Sequence, residues 1–552
     1  MGMFGKIRTL CSEYGLWYTF RKVWRRAQIK YRVGRRLYPF SQSKASEDEQ
    51  RDWKPENPVY VSILVPLYNT PPRYLREMLD SVMAQTYPCW ELCMVDASDE
   101  EHGEVEKILQ EYIAQDSLRI RYRKIANQGI SANTNEAAGM TRGTYMALLD
   151  HDDLLHPSAL YHMVRALEQT HADVLYSDEL SFDGAVSRVQ SIHLKPDFAR
   201  TCLHHNNYIC HFTMFSKTLW DQVGGFDSEL DGSQDYDLIL RLTDAADKVV
   251  HVPKVLYYWR MHAASVAAGV EAKPYTIEAG RRALEMHLQR QGMAGSVSSV
   301  EELGPYYRME PELPQQAVLL IIVENARVDR RMRSYIQMGT LFEKVYVVEL
   351  EKLTSEQAAQ ADYVILVRDG YLPEHGDGRW ILELIRCLQP EDNLVAAPLV
   401  KDRKNRVVHA GYTYDHGHIY PMYQGVPARD PSYMYRLAFR ENVSLLAGAA
   451  LAMKAPVFLE SDLYPLEDSE QLFEDATWFD FCLQARVMQG DCVWTPYEPF
   501  VRTESTNAGS DKIRMEFFYE KWADTLGRTD PFGHPDLSRF GKYAFICHRF
   551  LT

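Results

Sequence analysis

Asp150, Asp152 and Asp153 fall within four residues, in Leu149-Asp150-His151-Asp152-Asp153, directly after an apolar run. Carboxylates this close repel one another unless a cation or hydrogen-bond donors offset the charge. A divalent ion is one such offset. Hard Mg²⁺ or Mn²⁺ takes one or two carboxylates and completes its shell with water and phosphate oxygens, so a nucleoside diphosphate derivative is the substrate implied. The competing reading is a solvated turn whose Asp residues cap a helix beginning near Pro157.

Three further positions could join this chemistry. Asp96, in Met94-Val95-Asp96-Ala97-Ser98, could bond a base or ribose, or serve only its own turn. His262, in Trp259-Arg260-Met261-His262, could complete a metal shell or touch a diphosphate, or be structural. Gly232-Ser233-Gln234-Asp235-Tyr236-Asp237 reads as a loop entering a helix, with Asp235 a candidate general base and Asp237 a capping or structural acid. Rival phosphate cradles are missing: no GxGxxG follows the first strand and no GxxxxGK[ST] occurs. Neither HExxH nor GxSxG is present.

The elements around these residues place them at strand ends. From Pro58 onward, β-branched runs alternate with helical patterns: strands over Tyr60 to Pro66, Glu91 to Val95 and Arg119 to Lys124, helices over Pro72 to Ala84 and through Tyr112. This predicts parallel βαβ units. A helix over Ser131 to Met140 and a strand over Thr144 to Leu149 then lead into Asp150. In open α/β sheets the crevice beyond the carboxyl ends of strands is where ligands bind. A second α/β stretch starts near Ala317, with strands over Val318 to Val323, Lys344 to Val348 and Tyr363 to Val367, and its texture suggests duplication. Leu149 to Leu155 lines up with Leu366 to Leu372, and Gln234 to Leu238 with Thr477 to Phe481. Val367 then stands for Asp150, and Trp478 for Asp235.

The expected organisation is a helical leader and linker over 1–52, an α/β domain over 53–300, a linker over 301–315, a second domain over 316–507 and a helical tail over 508–552. The 552 residues carry a net charge of -15, unfavourable for a general nucleic-acid binder. The segment Met1 to Arg36 is net +9, with Trp17, Tyr18, Phe20 and Trp24 interleaved. It reads equally as a helix on an anionic membrane surface and as one packed on its own acidic body. Nine cysteines without CxxC or zinc spacing suit a reducing compartment. No signal peptide is expected, and the longest apolar runs, such as Val443 to Met453, are too short to cross a bilayer.

Val61-Ser62-Ile63-Leu64-Val65-Pro66-Leu67-Tyr68-Asn69, then Val95-Asp96-Ala97-Ser98, Leu148 to Asp153, Tyr176-Ser177-Asp178-Glu179 and Gly232 to Leu238, together resemble glycosyltransferase family 2. The second half resembles another domain of that family through Val407 to Gly411 and Asn442 to Ala449, and the tail Asp530 to Ser538 resembles the end of such chains. The resemblance implies a Rossmann-like GT-A fold, duplicated in tandem, in the style of two-domain enzymes of bacterial surface polysaccharides, rhamnose-containing ones included. It makes Pro66, Tyr68, Asn69, Asp96, Asp150, Asp152 and Gln234 donor contacts. Asp150, Asp152 and His262 become the ligands of Mn²⁺ or Mg²⁺, and Asp235 the catalytic base. Ala97 departs from the usual second Asp of the nucleotide motif. In the second copy, Asp369 alone survives from the paired acids and Arg502 is expected where His262 would be, which implies a catalytically silent domain.

The activity expected is inverting, metal-dependent transfer of a sugar from a UDP- or dTDP-linked donor to a glycan or lipid-linked glycan acceptor. A cytoplasmic protein, peripheral on the inner face of the membrane through residues 1–36 and able to form a homo-oligomer, fits this. Nucleotidyl transfer on a similar fold, or a non-catalytic glycan-binding scaffold, are the alternatives: pyrophosphate release marks the first, absence of nucleotide release the second.

Overall fold

The computed structural model describes residues 43–262, 274–300, 305–328, 342–461, 472–503 and 512–537, together with residues 20, 40 and 303. Apart from Phe20, the basic leader expected over 1–36 lies outside the described residues, as does the tail after 537. The chain divides into two compact units. One comprises residues up to 198 with 206–291 and 297–307, the other residues 199–205, 292–296 and 308 onward.

The first unit is built on strands β1 (Val61–Leu67), β2 (Trp90–Asp96), β3 (Ile120–Lys124), β4 (Tyr145–Leu148), β5 (Leu154–Leu155), β6 (Val174–Asp183), β7 (Ala185–His193), β8 (Thr213–Ser216) and β9 (Val249–Arg260). Their order is β3-β2-β1-β4-β8-β6-β9-β5, with β7 paired to β6. β1 is parallel to β2 and β4, and β2 to β3, as the βαβ pattern requires. β8 runs antiparallel to β4 and β6, so the sheet is mixed beyond its first four strands. Val61, Ile63, Val65 and Leu67 face the helices Pro72–Met83 and Ala159–Thr170 through Leu75, Leu79, Leu160 and Val164. Leu64, Cys93 and Val95 face Ala137, Trp220, Leu238 and Leu242 on the other side. Both faces being covered is why these strands are apolar throughout rather than alternating.

The second unit repeats this plan. Its strands are β10 (Val318–Val323), β11 (Lys344–Glu349), β12 (Tyr363–Val367), β13 (Tyr371–Pro373), β14 (Asn393–Lys401), β15 (Val407–His409), β16 (Ala450–Lys454) and β17 (Asp491–Arg502). Their order, β11-β10-β12-β16-β14-β17-β13 with β15 on β14, matches the first sheet from β2 to β5, place for place. Directions agree too: β10 is parallel to β11 and β12, β16 antiparallel to β12 and β14, and β17 parallel to β14. The duplication read from short sequence matches is thus carried by the whole hydrogen-bonded framework. Among the described residues, no helix is long and apolar enough to cross a membrane.

Candidate functional site

The acidic cluster occupies the bend between β4 and β5, at the carboxyl end of β4. Its three carboxylates do different things. Asp153 is buried and accepts from the Tyr257 hydroxyl at 2.6 Å and the Arg260 backbone N–H at 2.6 Å, so it fixes the bend. The buried Arg260 guanidinium donates to the Asp152 carbonyl at 2.6 Å and pairs with Glu77 at 2.7 Å, holding the peptide from which Asp152 projects. Asp152 and His262 meet, with Oδ2 and Nε2 2.6 Å apart. Although 46% of the Asp150 side chain reaches solvent, the protein packed around it raises its pKa. Asp152 and Asp235 push in the same direction, against His211 and His151. Asp235 is tied to the same neighbourhood through Asn207, which bonds it and the Cys210 N–H just before the His211 that lies 3.7 Å from Asp150.

Asp235 lies in the first turn of helix Gln234–Ala245, where backbone N–H groups favour negative charge. Asp237 pairs with Arg241 at 2.7 Å and Arg290 at 3.3 Å, which makes it the structural acid of the two. Among the described residues, Asp235 instead accepts a single hydrogen bond, from Asn207 at 3.1 Å, and stays partly exposed. Gln234 accepts from the Gly232 N–H at 2.7 Å and shapes the entry to the helix. Gly232 has φ +101°, and a Cβ there would lie 2.6 Å from the Tyr275 ring, so the turn needs glycine.

At the end of β2, Asp96 is wholly buried. It accepts from the Ser98 N–H at 2.9 Å and from Lys124 Nζ at 2.9 Å. The parallel register that sets Asp96 beside Lys124 brings that cation in from β3. The carboxylate that meets Tyr68 and Asn69 is Asp99: Oδ2 accepts from the Asn69 amide at 2.8 Å and the Tyr68 hydroxyl at 3.3 Å. Pro66 belongs to β1 itself, paired with Val95. Thr70 Oγ1 and His151 Nδ1, 2.9 Å apart, join this loop to the acidic bend.

A support behind Asp150 escaped the sequence reading. Glu179, on β6, is buried among Lys195 at 3.2 Å, His193 at 2.7 Å and His211 at 3.3 Å. Burial opposes ionisation of Glu179, but Lys195, His193 and His211 outweigh it and hold its pKa well below the ordinary range. Burial likewise works against a charged His211, while Cys210 and Glu179 overcome it and raise its pKa. His211 is stacked on Tyr257 at 4.8 Å, and its Nε2 lies 3.7 Å from Asp150. The motif Tyr176 to Glu179 was visible in the sequence, but its cationic partners come from positions that carry no motif.

Asp150, Asp152 and His262 offer two carboxylates and one imidazole. That donor set suits Mn²⁺ or Mg²⁺ with water and phosphate oxygens completing the shell; burial is the main reason the Asp150 pKa is raised, and the lesser repulsion from Asp152 and Asp235 is what a cation would relieve.

In the second unit the corresponding bend joins β12 to β13. Arg368 stands in the place of His151, pairs with Asp475 at 2.5 Å and lies over the Trp478 ring at 4.2 Å. Asp369 pairs with Arg327 at 2.9 Å. Arg502 lies opposite Tyr371, as Tyr258 lies opposite Leu154, so it stands several residues before the place of His262 rather than on it. The expected replacement of His262 by Arg502 is corrected by this register.

Residues 62–222 match the family described as Glycosyl transferase family 2. The uncharacterized protein y4gI of Sinorhizobium fredii (strain NBRC 101917 / NGR234) is 34% identical over 547 residues, covering 88% of this chain and 58% of that protein. The O-antigen biosynthesis protein RfbC of Myxococcus xanthus is 35% identical over 242 residues, covering 43% of this chain and 19% of RfbC. Both relatives extend well beyond what this chain spans. Among solved structures, S. aureus TarS 1–349 in complex with UDP aligns with a TM-score of 0.34 at 19% identity, over 42% of this chain and 65% of that one.

Proposed function

With a glycosyl transferase family 2 domain over residues 62–222, we propose that the first unit transfers a sugar from a nucleoside diphosphate donor to a hydroxyl of a glycan or lipid-linked glycan, with inversion. The observation that carries this reading is the separation of two acidic functions around one charge centre. Asp150 and Asp152 sit with His262 at the bend, while Asp235, at a helix N-terminus, is held by Asn207 on the segment that carries His211 to Asp150. A metal-bridged phosphate and a hydroxyl awaiting deprotonation need those two separate arrangements.

Asp150, Asp152 and His262 would hold Mn²⁺ or Mg²⁺, whose charge stabilises the departing diphosphate. Tyr68, Asn69 and the loop to Asp99 would take the nucleoside, with Pro66 and Asp96 shaping the floor beneath it. Gln234 sets the helix entry, and Asp235 takes the proton from the acceptor hydroxyl as its oxygen attacks the anomeric carbon. Asn207, bonded to the other side of the Asp235 carboxylate, orients it. The name of RfbC, an O-antigen biosynthesis protein, supports surface-polysaccharide assembly as the setting, for which we propose a UDP- or dTDP-linked sugar as donor.

General-base catalysis contributes about 10²- to 10⁴-fold, so Asp235→Asn should lower acceptor-dependent release of nucleoside diphosphate by that factor while donor affinity stays unchanged. Wild-type turnover in that variant would dismiss the base assignment. Release of pyrophosphate in place of nucleoside diphosphate would assign the site to nucleotidyl transfer instead.

A further inference from the structure

The two units share one framework, yet the acids of the first bend are largely lost from the second and arginines have been gained there. In the first, Asp150, Asp152 and Asp153 gather there with Asp235 nearby. In the second, the aligned positions are Val367, Asp369, Gly370 and Trp478, while Arg368 has been gained and Arg502 projects from β17 beside Tyr371. Of the acids around this spot, Asp475 pairs with Arg368 at 2.5 Å, Asp369 with Arg327 at 2.9 Å and Glu474 with Arg514 at 3.5 Å, while Glu324 accepts from the Asp369 N–H at 2.7 Å. Among the described residues, no carboxylate pairs with Arg502.

Two buried polar atoms in the same cluster lack partners among the described residues. His409 is 3% exposed and its Nδ1 makes no hydrogen bond; Arg368, with 12% of its side chain exposed, has an unpartnered Nε. Across β14 and β15 His409 pairs with the aliphatic Val400, which offers its imidazole no hydrogen-bond partner. His409 is nonetheless held tightly, 5.0 Å from the Tyr412 ring and against the backbone of Gly448. The charged groups facing it are Asp475, Arg368 and Arg502. Leaving buried donors unmet costs free energy, and Arg is suited to planar oxyanions.

We propose that the second unit binds an oxyanion, a phosphoryl or carboxylate group, directly through Arg368, Arg502 and His409, without the bridging metal that the first unit's carboxylates require. This reading does not rest on sugar transfer by the first unit. The anion has two candidate sources, a nucleoside diphosphate and an acidic group carried by the acceptor glycan.

The test is calorimetric titration of the full chain with inorganic pyrophosphate in excess EDTA, where metal-bridged binding at the first unit is suppressed. Wild-type protein and Asp152→Asn should bind alike, and Arg502→Gln should bind about tenfold or more weakly, the loss of one charge-assisted contact. Arg502→Lys should recover part of the affinity. Should Arg502→Gln fail to fold by circular dichroism, His409→Leu provides the same readout. Separate arms with UDP, glucose 1-phosphate and glucuronate identify the source by which affinity falls in the Arg502 variant. Absence of pyrophosphate binding by wild type, equal binding by Arg502→Gln, or sensitivity to Asp152→Asn alone would overturn the proposal.

Discussion

His211 and Glu179 show how a single buried acid can govern a site it does not enter. Glu179 is buried against Lys195, His193 and His211, and His211 in turn lies 3.7 Å from Asp150. Replacing His211 by Asn removes a positive charge that competes for Asp150, so Mn²⁺ binding should tighten several-fold, and Mn²⁺ titration reads it directly. The acids themselves were legible because three of them in four residues demand a counter-charge. Their supports were not, because Lys195 and His211 announce nothing until β6, β7 and the segment before β8 bring them together. Asp96 makes the converse point: its position at a strand end was readable, but its capture by Lys124 depends on the register of β2 and β3, which residue types do not specify.

Elements whose strands are covered on both faces were the most readable. Val318–Val323 and Tyr363–Val367 coincide with their expected spans, since unbroken β-branched and aliphatic runs admit few other folds. The antiparallel strand β8 broke no local rule and so gave no warning of the mixed sheet. Close packing at one element predicts a measurable cost. Gly448 has φ +119°, and a Cβ there would lie 2.4 Å from the His409 ring. Gly448→Ala should lower unfolding stability by about 1–3 kcal/mol in a denaturant titration. Strand Glu441–Val443, paired with β17, carries a pH-dependent element. Burial raises the Glu441 pKa from 4.5 to about 7, against the opposing influence of Arg436, 2.6 Å away. The folded state then holds a proton that the unfolded state releases, so this group's contribution falls as pH rises from 4.5 to about 7. Across that window, wild type should lose stability relative to Glu441→Gln, which urea midpoints at several pH values would display.

For the molecule as a whole, duplication with divergence predicts unequal stoichiometry. Titration of a nucleotide sugar should reveal one Mn²⁺-dependent site per chain, abolished by Asp152→Ala and untouched by Asp369→Asn, because Asp369 is committed to Arg327. Two metal-dependent sites would contradict the assignment of the second bend. The stacked His211, anchored on Tyr257 and on the buried Glu179, has one further consequence. Much of the scaffolding beneath Asp150 is rigid before any ion arrives. Loading should therefore resemble a guest entering a finished room: fast association, little heat-capacity change, and protection of the surrounding amides from solvent exchange that is nearly the same in the empty and occupied protein.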